Sequence, residues 1–293
     1  MFYSFRLIIL FFFTLIIISC NSRNEFEITR DNLSPLYPLK RAARPDDWLY
    51  TRKVINQSLD DYIMARPTGI DSVRKKIYIM LIGDFDSAQK DIAFITAQYL
   101  QAFYGLETRV IEMKKSFAVS PKSRNNPGSG QLQLSASYLM DSVLQRQLPI
   151  DAAVLLGLTT IDLYPGNNWN YIFGLGSSKE RVGVLSIYRF GDPNKENDKE
   201  ICLLRTIKTA THEMGHILSL PHCSKFECCM NGSNTLSELT NKPTYFCPDC
   251  LIKISSDLKY DVREHLQQMK NFWQMKDNKQ MCDFYNQNLE VLK

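Results

Sequence analysis

Apolar positions fall into three regimes along the chain. The first is a block, LIILFFFTLIII (7–18), that follows one positive charge at Arg6 and turns polar at Asn21. Twelve residues are too few to cross a bilayer, and the block has the dimensions of an export-signal core. Residues 21–45 are polar, contain Pro and have no period, which predicts a tether. Weak helical spacing follows over 54–64, then a turn at Arg66-Pro67-Thr68-Gly69.

The second regime alternates strand and helix. IYIMLIGDF (77–85) is an apolar run bounded by charge and predicts a buried strand. SAQKDIAFITAQYLQAFYG (87–105) has helical spacing and a terminal Gly, LETRVIEM (106–113) predicts a strand, and 119–130 is crowded with loop formers. A helix is expected over 134–147 and a strand over 151–159, then a hairpin of WNYIFGLG (169–176) and RVGVLSIYRF (181–190). A charged loop (191–199) leads to ICLLRTIKTATHEMGHILSL (201–220), the longest helical run, and 251–275 predicts a C-terminal helix. The fold class is α+β, close to α/β, with a mixed and mostly parallel twisted sheet packed against those two helices. The expected units are 1–19 as signal peptide, 20–75 as tether and N-terminal extension, and 76–293 as the catalytic domain.

Charge adds little to this outline. Removing 19 of the 293 residues leaves 274, and the loss of Arg6 takes the formal charge from +4 to +3. That is too weak to imply nucleic acid or an anionic membrane surface. There are no internal repeats, and the chain is expected to be a monomer.

The chemistry is concentrated in HEMGHILSLPH (212–222), which holds three of the four histidines. On a helix His212 and His216 share a face about 6 Å apart. Adding His222 gives three neutral imidazoles and one open position, the ligand set of a catalytic zinc. Glu213 cannot easily reach the same ion, but it can act on a water there as general base. The helix must end near Leu218 for His222 to turn back. The reversal favours Gly at position 219, where this chain has Ser, at a cost of about 1 kcal/mol for a positive φ. Pro221 stiffens the exit. His265, alone on 251–275, is expected to be a surface or satisfied histidine.

Two resemblances extend the picture. Ser19-Cys20 at the end of the apolar block resembles the lipobox of bacterial lipoproteins. That implies a lipidated Cys20, a membrane contact through the lipid, and an address in the cell envelope facing the periplasm or exterior. The competing readings are an uncleaved anchor and an ordinary signal.

H-E-x-x-H-x-x-x-x-x-H followed by HCSKFECCMNGSN and FCPDC resembles the archaemetzincins, zinc peptidases of the metzincin clan. The resemblance covers at least 211–250, extends back through 162–190, and departs from the usual pattern at Ser219. It implies a zinc-dependent peptidase acting on a peptide or protein substrate. His212, His216 and His222 would be ligands of the catalytic zinc, Glu213 the general base, and Met230 the methionine-turn residue. Cys223, Cys228, Cys247 and Cys250 would close a second, structural zinc site, so two zinc ions are expected. Cys229, beside Cys228, leaves that ligand ambiguous by one residue, and the family spacing selects Cys228. In an exported protein disulfides compete with this reading, and Cys247/Cys250 alone could be a redox pair. Cys202 and Cys282 could pair or stay thiols. Family architecture also implies that 169–176 is the edge strand that receives the substrate. Tyr245 and the tyrosines of 169–190 are expected to pack rather than stabilise an oxyanion. The alternatives are a zinc-binding lipoprotein without turnover and a thiol-redox protein.

Overall fold

The computed structural model describes residues 25–67, 69–113, 122–166 and 169–293. The expected signal peptide and Cys20 lie outside the described residues. Among the described residues no helix is long and apolar enough to cross a membrane.

A five-stranded sheet organises the chain, in the order β2 (Thr108–Glu112), β1 (Lys76–Ile82), β5 (Ala152–Thr159), β8 (Val182–Ser186), β7 (Gly174–Ser177). β2, β1, β5 and β8 run parallel, and β7 closes one edge antiparallel to β8, so the mixed, mostly parallel sheet expected from the alternation is present. β5 and β8 are buried along their whole length, as strands covered on both faces must be. Helix α3 (Ser87–Tyr104) links β1 to β2, started by the Asp86–Gln89 capping box and stopped by Gly105 at φ 64°.

A second sheet was not expected from the sequence. It consists of β3 (Ser123–Asn125), inside the predicted loop 119–130, β4 (Leu132–Ser135), which takes the start of the predicted helix 134–147, and β6 (Asp162–Tyr164). The helix there begins only at residue 136, after Ser135 as N-cap. Strands of three or four residues carry too few alternations to show a period. Their anchor is Asp162, fully buried, whose carboxylate accepts two bonds from Arg189 (2.8 and 2.7 Å) and one from Gln133 (2.8 Å).

The longest helix, α5 (Glu196–Ile217), starts five residues earlier than predicted, inside the expected loop 191–199. It lies against β7 and β8, where Gly174 and Gly176 let strand and helix close up. A Cβ at Gly174 would stand 2.7 Å from the Glu213 side chain, and one at Gly176 2.7 Å from the Glu213 carbonyl. The single C-terminal helix expected over 251–275 is instead two, α7 (Pro248–Leu258) and α8 (Val262–Met275), followed by α9 (Lys279–Val291). Lys259 takes the left-handed conformation at the break, and Asp261 caps α8 by accepting from the Glu264 N–H.

The polar stretch expected as a tether also differs. Residues 25–33 are helical, and Leu33 and Tyr37 are buried in the main core, with Tyr37 edge-on to Tyr245 and Phe284. Tyr62, on α2 (Leu59–Met64), donates to the Leu218 carbonyl at 2.7 Å and so satisfies an orphan acceptor at the end of α5.

Candidate active site

Helical spacing brings His212 and His216 onto one face of α5, and the reversal after Leu218 returns His222 to them. Their donor atoms all lie within 4.8 Å of one another. His216 Nε2 stands 3.1 Å from His212 Nε2 and 3.3 Å from His222 Nε2. Four-coordinate zinc, with Zn–N near 2.05 Å, sets neighbouring ligand nitrogens roughly 3.3 Å apart.

The outer nitrogens fix the tautomers. His212 Nδ1–H donates to the Cys229 carbonyl and His216 Nδ1–H to the Leu220 carbonyl, both at 2.8 Å. The Nε2 atoms of His212 and His216 therefore present lone pairs, and burial keeps all three rings neutral by lowering His216 to about 4, His222 to about 3 and His212 well below its usual value. Lone pairs at 3.1 Å repel each other unless a cation lies between them. The residues fit a zinc ion.

Glu213 lies beneath β7, its carboxyl raised to about 8 because burial outweighs the opposing charge of Lys242. A dication at the imidazoles would lower it toward the charged form. Ser219 makes the expected reversal at φ 69°, where its N–H donates to the His216 carbonyl. Ser219→Gly should therefore raise stability by about 0.5–1 kcal/mol. A urea midpoint that falls instead would show that the turn is not strained at this residue.

Met230 is fully buried with its sulfur pressed on Gly215, between the two helical histidines, where a side chain at Gly215 would collide with it. Behind it Cys223, Cys228, Cys247 and Cys250 bring four sulfurs within 4.8 Å of one another. Cys223 and Cys247 are 3.8 Å apart, the spacing that Zn–S bonds of about 2.3 Å would give. The backbone N–H groups of Cys247 (3.2 Å) and Met230 (3.4 Å) donate to Cys228 Sγ, as they would to a thiolate. Cys229 faces away and donates to the Lys208 carbonyl at 3.3 Å. Hydrogen bonds from the other three thiols hold Cys223 far below the usual range, while Cys247 and Cys250 are pushed up. The cluster thus carries one negative charge easily, and a cation is needed for four.

His265 and Tyr245 take packing positions, whereas Tyr171 lines the cleft and Tyr188 is exposed. His265 is buried, donates to the Phe103 carbonyl at 2.8 Å and stacks on Tyr260. Tyr245 stacks on Phe284, away from the histidines. Cys202 and Cys282 are free thiols. Strand β7 is the sheet edge, though its pairing begins at Gly174 rather than at 169, and residues 169–173 line the cleft as a loop.

The cleft over the histidines measures about 530 Å³. Two of its walls were missed. Lys242 is buried in the floor, with only a long 3.3 Å bond to the Asn231 carbonyl, and burial lowers its ammonium. Trp48, from the N-terminal extension, packs against the His222 ring with centroids 4.2 Å apart and planes tilted by 46°. An indole in a polar stretch was the available signal, but no spacing rule links residue 48 to residue 222.

A family model described as peptidase family M54 matches residues 132–256. Archaemetzincin-2 of Rattus norvegicus is 30% identical over 250 residues, covering 74% of this chain and 69% of that protein. The archaemetzincin of Thermococcus kodakarensis is 35% identical over 113 residues, 37% of this chain and 59% of that protein. The crystal structure of archaemetzincin from Methanopyrus kandleri aligns with a TM-score of 0.51 at 25% identity, over 64% of this chain and 98% of that one. Fold, converging histidines and relatives agree: the chain belongs to peptidase family M54, the archaemetzincins, and is a zinc metallopeptidase.

Proposed function

We propose that His212, His216 and His222 hold the catalytic zinc, that Glu213 is the general base, and that Cys223, Cys228, Cys247 and Cys250 hold a second, structural zinc. The observation that carries this reading is the convergence of three neutral imidazoles, with Nε2 atoms at 3.1 and 3.3 Å, beside a buried carboxyl under a sheet edge. Zinc bound there supplies Lewis-acid polarisation of the scissile carbonyl and lowers the pKa of water toward about 7. Glu213 takes the proton of the attacking water on its carboxylate and gives it to the leaving amine nitrogen. The free edge of β7 offers main-chain groups to an extended peptide, which lays the scissile bond over Glu213. Met230 forms the apolar floor beneath the imidazoles.

The proposal extends to the address: cleavage before Cys20, a lipid on that cysteine, and a monomeric domain, 76–293 with its N-terminal extension, at the bacterial cell envelope facing the periplasm or exterior. Its support is the apolar block ending in Ser19-Cys20. One experiment tests chemistry and address together. Cells expressing the full chain should show peptidase activity in the membrane fraction that a zinc chelator removes and added zinc restores, and Cys20→Ala should release that activity to the soluble fraction. Activity indifferent to chelation would sink the zinc mechanism. A Cys20→Ala chain that stays with the membrane would sink the lipid anchor.

A further inference from the structure

With one carboxylate and one ammonium among its lining residues, the catalytic cleft would become net positive once the three imidazoles hold a dication. Glu213 is the one carboxylate among its lining residues, Lys242 lies in the floor, and the histidines draw a dication. A cleft of one sign focuses its field on an incoming group of the other. A free α-ammonium finds no carboxylate there beyond Glu213.

A further cation stands at the mouth. Arg52 is exposed, with its guanidinium carbon 5.8 Å from the centre of Trp48 and 5.5 Å from that of Trp169, so it lies within cation–π range of two indoles that both line the cleft. Among the described residues it has no ion pair and no hydrogen bond. The segment that leads to it is tied down up to Trp48. Arg41 donates twice to Asp47 (2.7 and 2.8 Å), the Trp48 N–H donates to Glu238 at 2.8 Å, and the indole presses on Gly232 where any Cβ would collide. From the His222 ring to Trp48 is 4.2 Å and from Trp48 to the guanidinium 5.8 Å. Together these steps place Arg52 within about 10 Å of the histidine, the length of about three extended residues. Trp48 and Arg52 lie outside the family-matched region 132–256, whereas Trp169, His222, Gly232 and Glu238 lie within it.

We propose that Arg52, beside Trp48 and Trp169, binds a substrate carboxylate within about three residues of the scissile bond, so that the N-terminal extension sets the specificity of the cleft. A planar guanidinium drawn to two indole rings offers a carboxylate two parallel donors. The carboxylate is an acidic side chain or the peptide C-terminus. The proposal rests on the peptidase reading of the site.

The test uses the full chain and two sets of peptide pairs, one differing by Glu or Gln at a single position and one by a free or amidated C-terminus. At least one set should show about a tenfold preference in kcat/KM for the carboxylate member, carried by KM. Arg52→Gln should erase the preference, Arg52→Glu reverse it, and Arg52→Lys keep part of it. The set that responds identifies the source of the carboxylate. Equal rates within every pair, or a preference that survives Arg52→Gln, would overturn the proposal, as would an Arg52→Gln loss that is uniform across all peptides. Indole fluorescence of the Glu213→Gln chain, titrated with the same peptides, gives the Kd ratio without turnover. A failure of hydrolysis is thereby separated from a failure of recognition.

Discussion

Glu213→Gln should lose about a thousandfold or more in kcat while keeping zinc on the three imidazoles. The glutamine fills the same space under Gly174 but can neither take nor return a proton, and it removes none of the nitrogens that meet at His216. A second consequence is less obvious. Without metal at the histidines, burial raises the Glu213 carboxyl to about 8, above the ordinary 4.5 that it has in the unfolded chain. A folded-state value above the unfolded one means that the folded protein holds the proton more tightly. Its share of stability is complete below pH 4.5 and is lost as pH rises toward 8. An amide has no such cost. Stripped of the histidine-bound metal by a mild chelator, the Gln chain should therefore be more stable than the Glu chain by on the order of 2–3 kcal/mol near pH 7.5, with little difference at pH 4.5. Urea midpoints at the two pH values measure it. Zinc should shrink the gain, because a dication holds the carboxylate charged. Retained turnover would remove Glu213 from the chemistry, and a pH-independent difference would remove the buried charge as its cause.

What the sequence made legible follows the range of the interaction. α5, α3 and β5 each carry a full local period, and the histidine spacing is itself a helical period closed by the turn that Ser219 makes at φ 69°. The cysteine pattern was legible for a similar reason, because CPDC places both thiols at the start of α7. The small sheet was not, since its strands are held by Asp162, Arg189 and Gln133 across tens of residues rather than by their own alternation. The break between α7 and α8 had a readable sign in Asp261 and Glu264, a capping pair inside an apolar period that otherwise runs on. Trp48 and Lys242 line the cleft through contacts made only when distant segments pack together, which no local pattern encodes.

The second large effect concerns the four cysteines. Cys223 directly follows His222, Cys228 precedes Met230 by two residues, and the Cys223 N–H donates to the Met230 carbonyl at 3.0 Å. Asn231 ties the same loop together, with its side chain donating to the Cys223 (2.9 Å) and Phe226 (3.0 Å) carbonyls and accepting from the Cys228 N–H at 3.0 Å. A metal on the sulfurs therefore fixes the loop that aims the third imidazole, and it fastens that loop to the first turn of α7. Cys228→Ser should lower metal content from two zincs per chain to one and cost more than about 4 kcal/mol, beyond ordinary point changes. For a domain of this size that is a fall in Tm of roughly 10 °C. Turnover should fall with it, since a loosened His222 opens the catalytic ligand set. Cys229→Ser is the control. That thiol faces the Lys208 carbonyl, and burial raises it to about 11, so both zincs should remain. Loss of a zinc from Cys229→Ser with full retention in Cys228→Ser would exchange the two assignments. A Tm lowered by reductant, with no zinc on the cysteines, would replace the metal with disulfides.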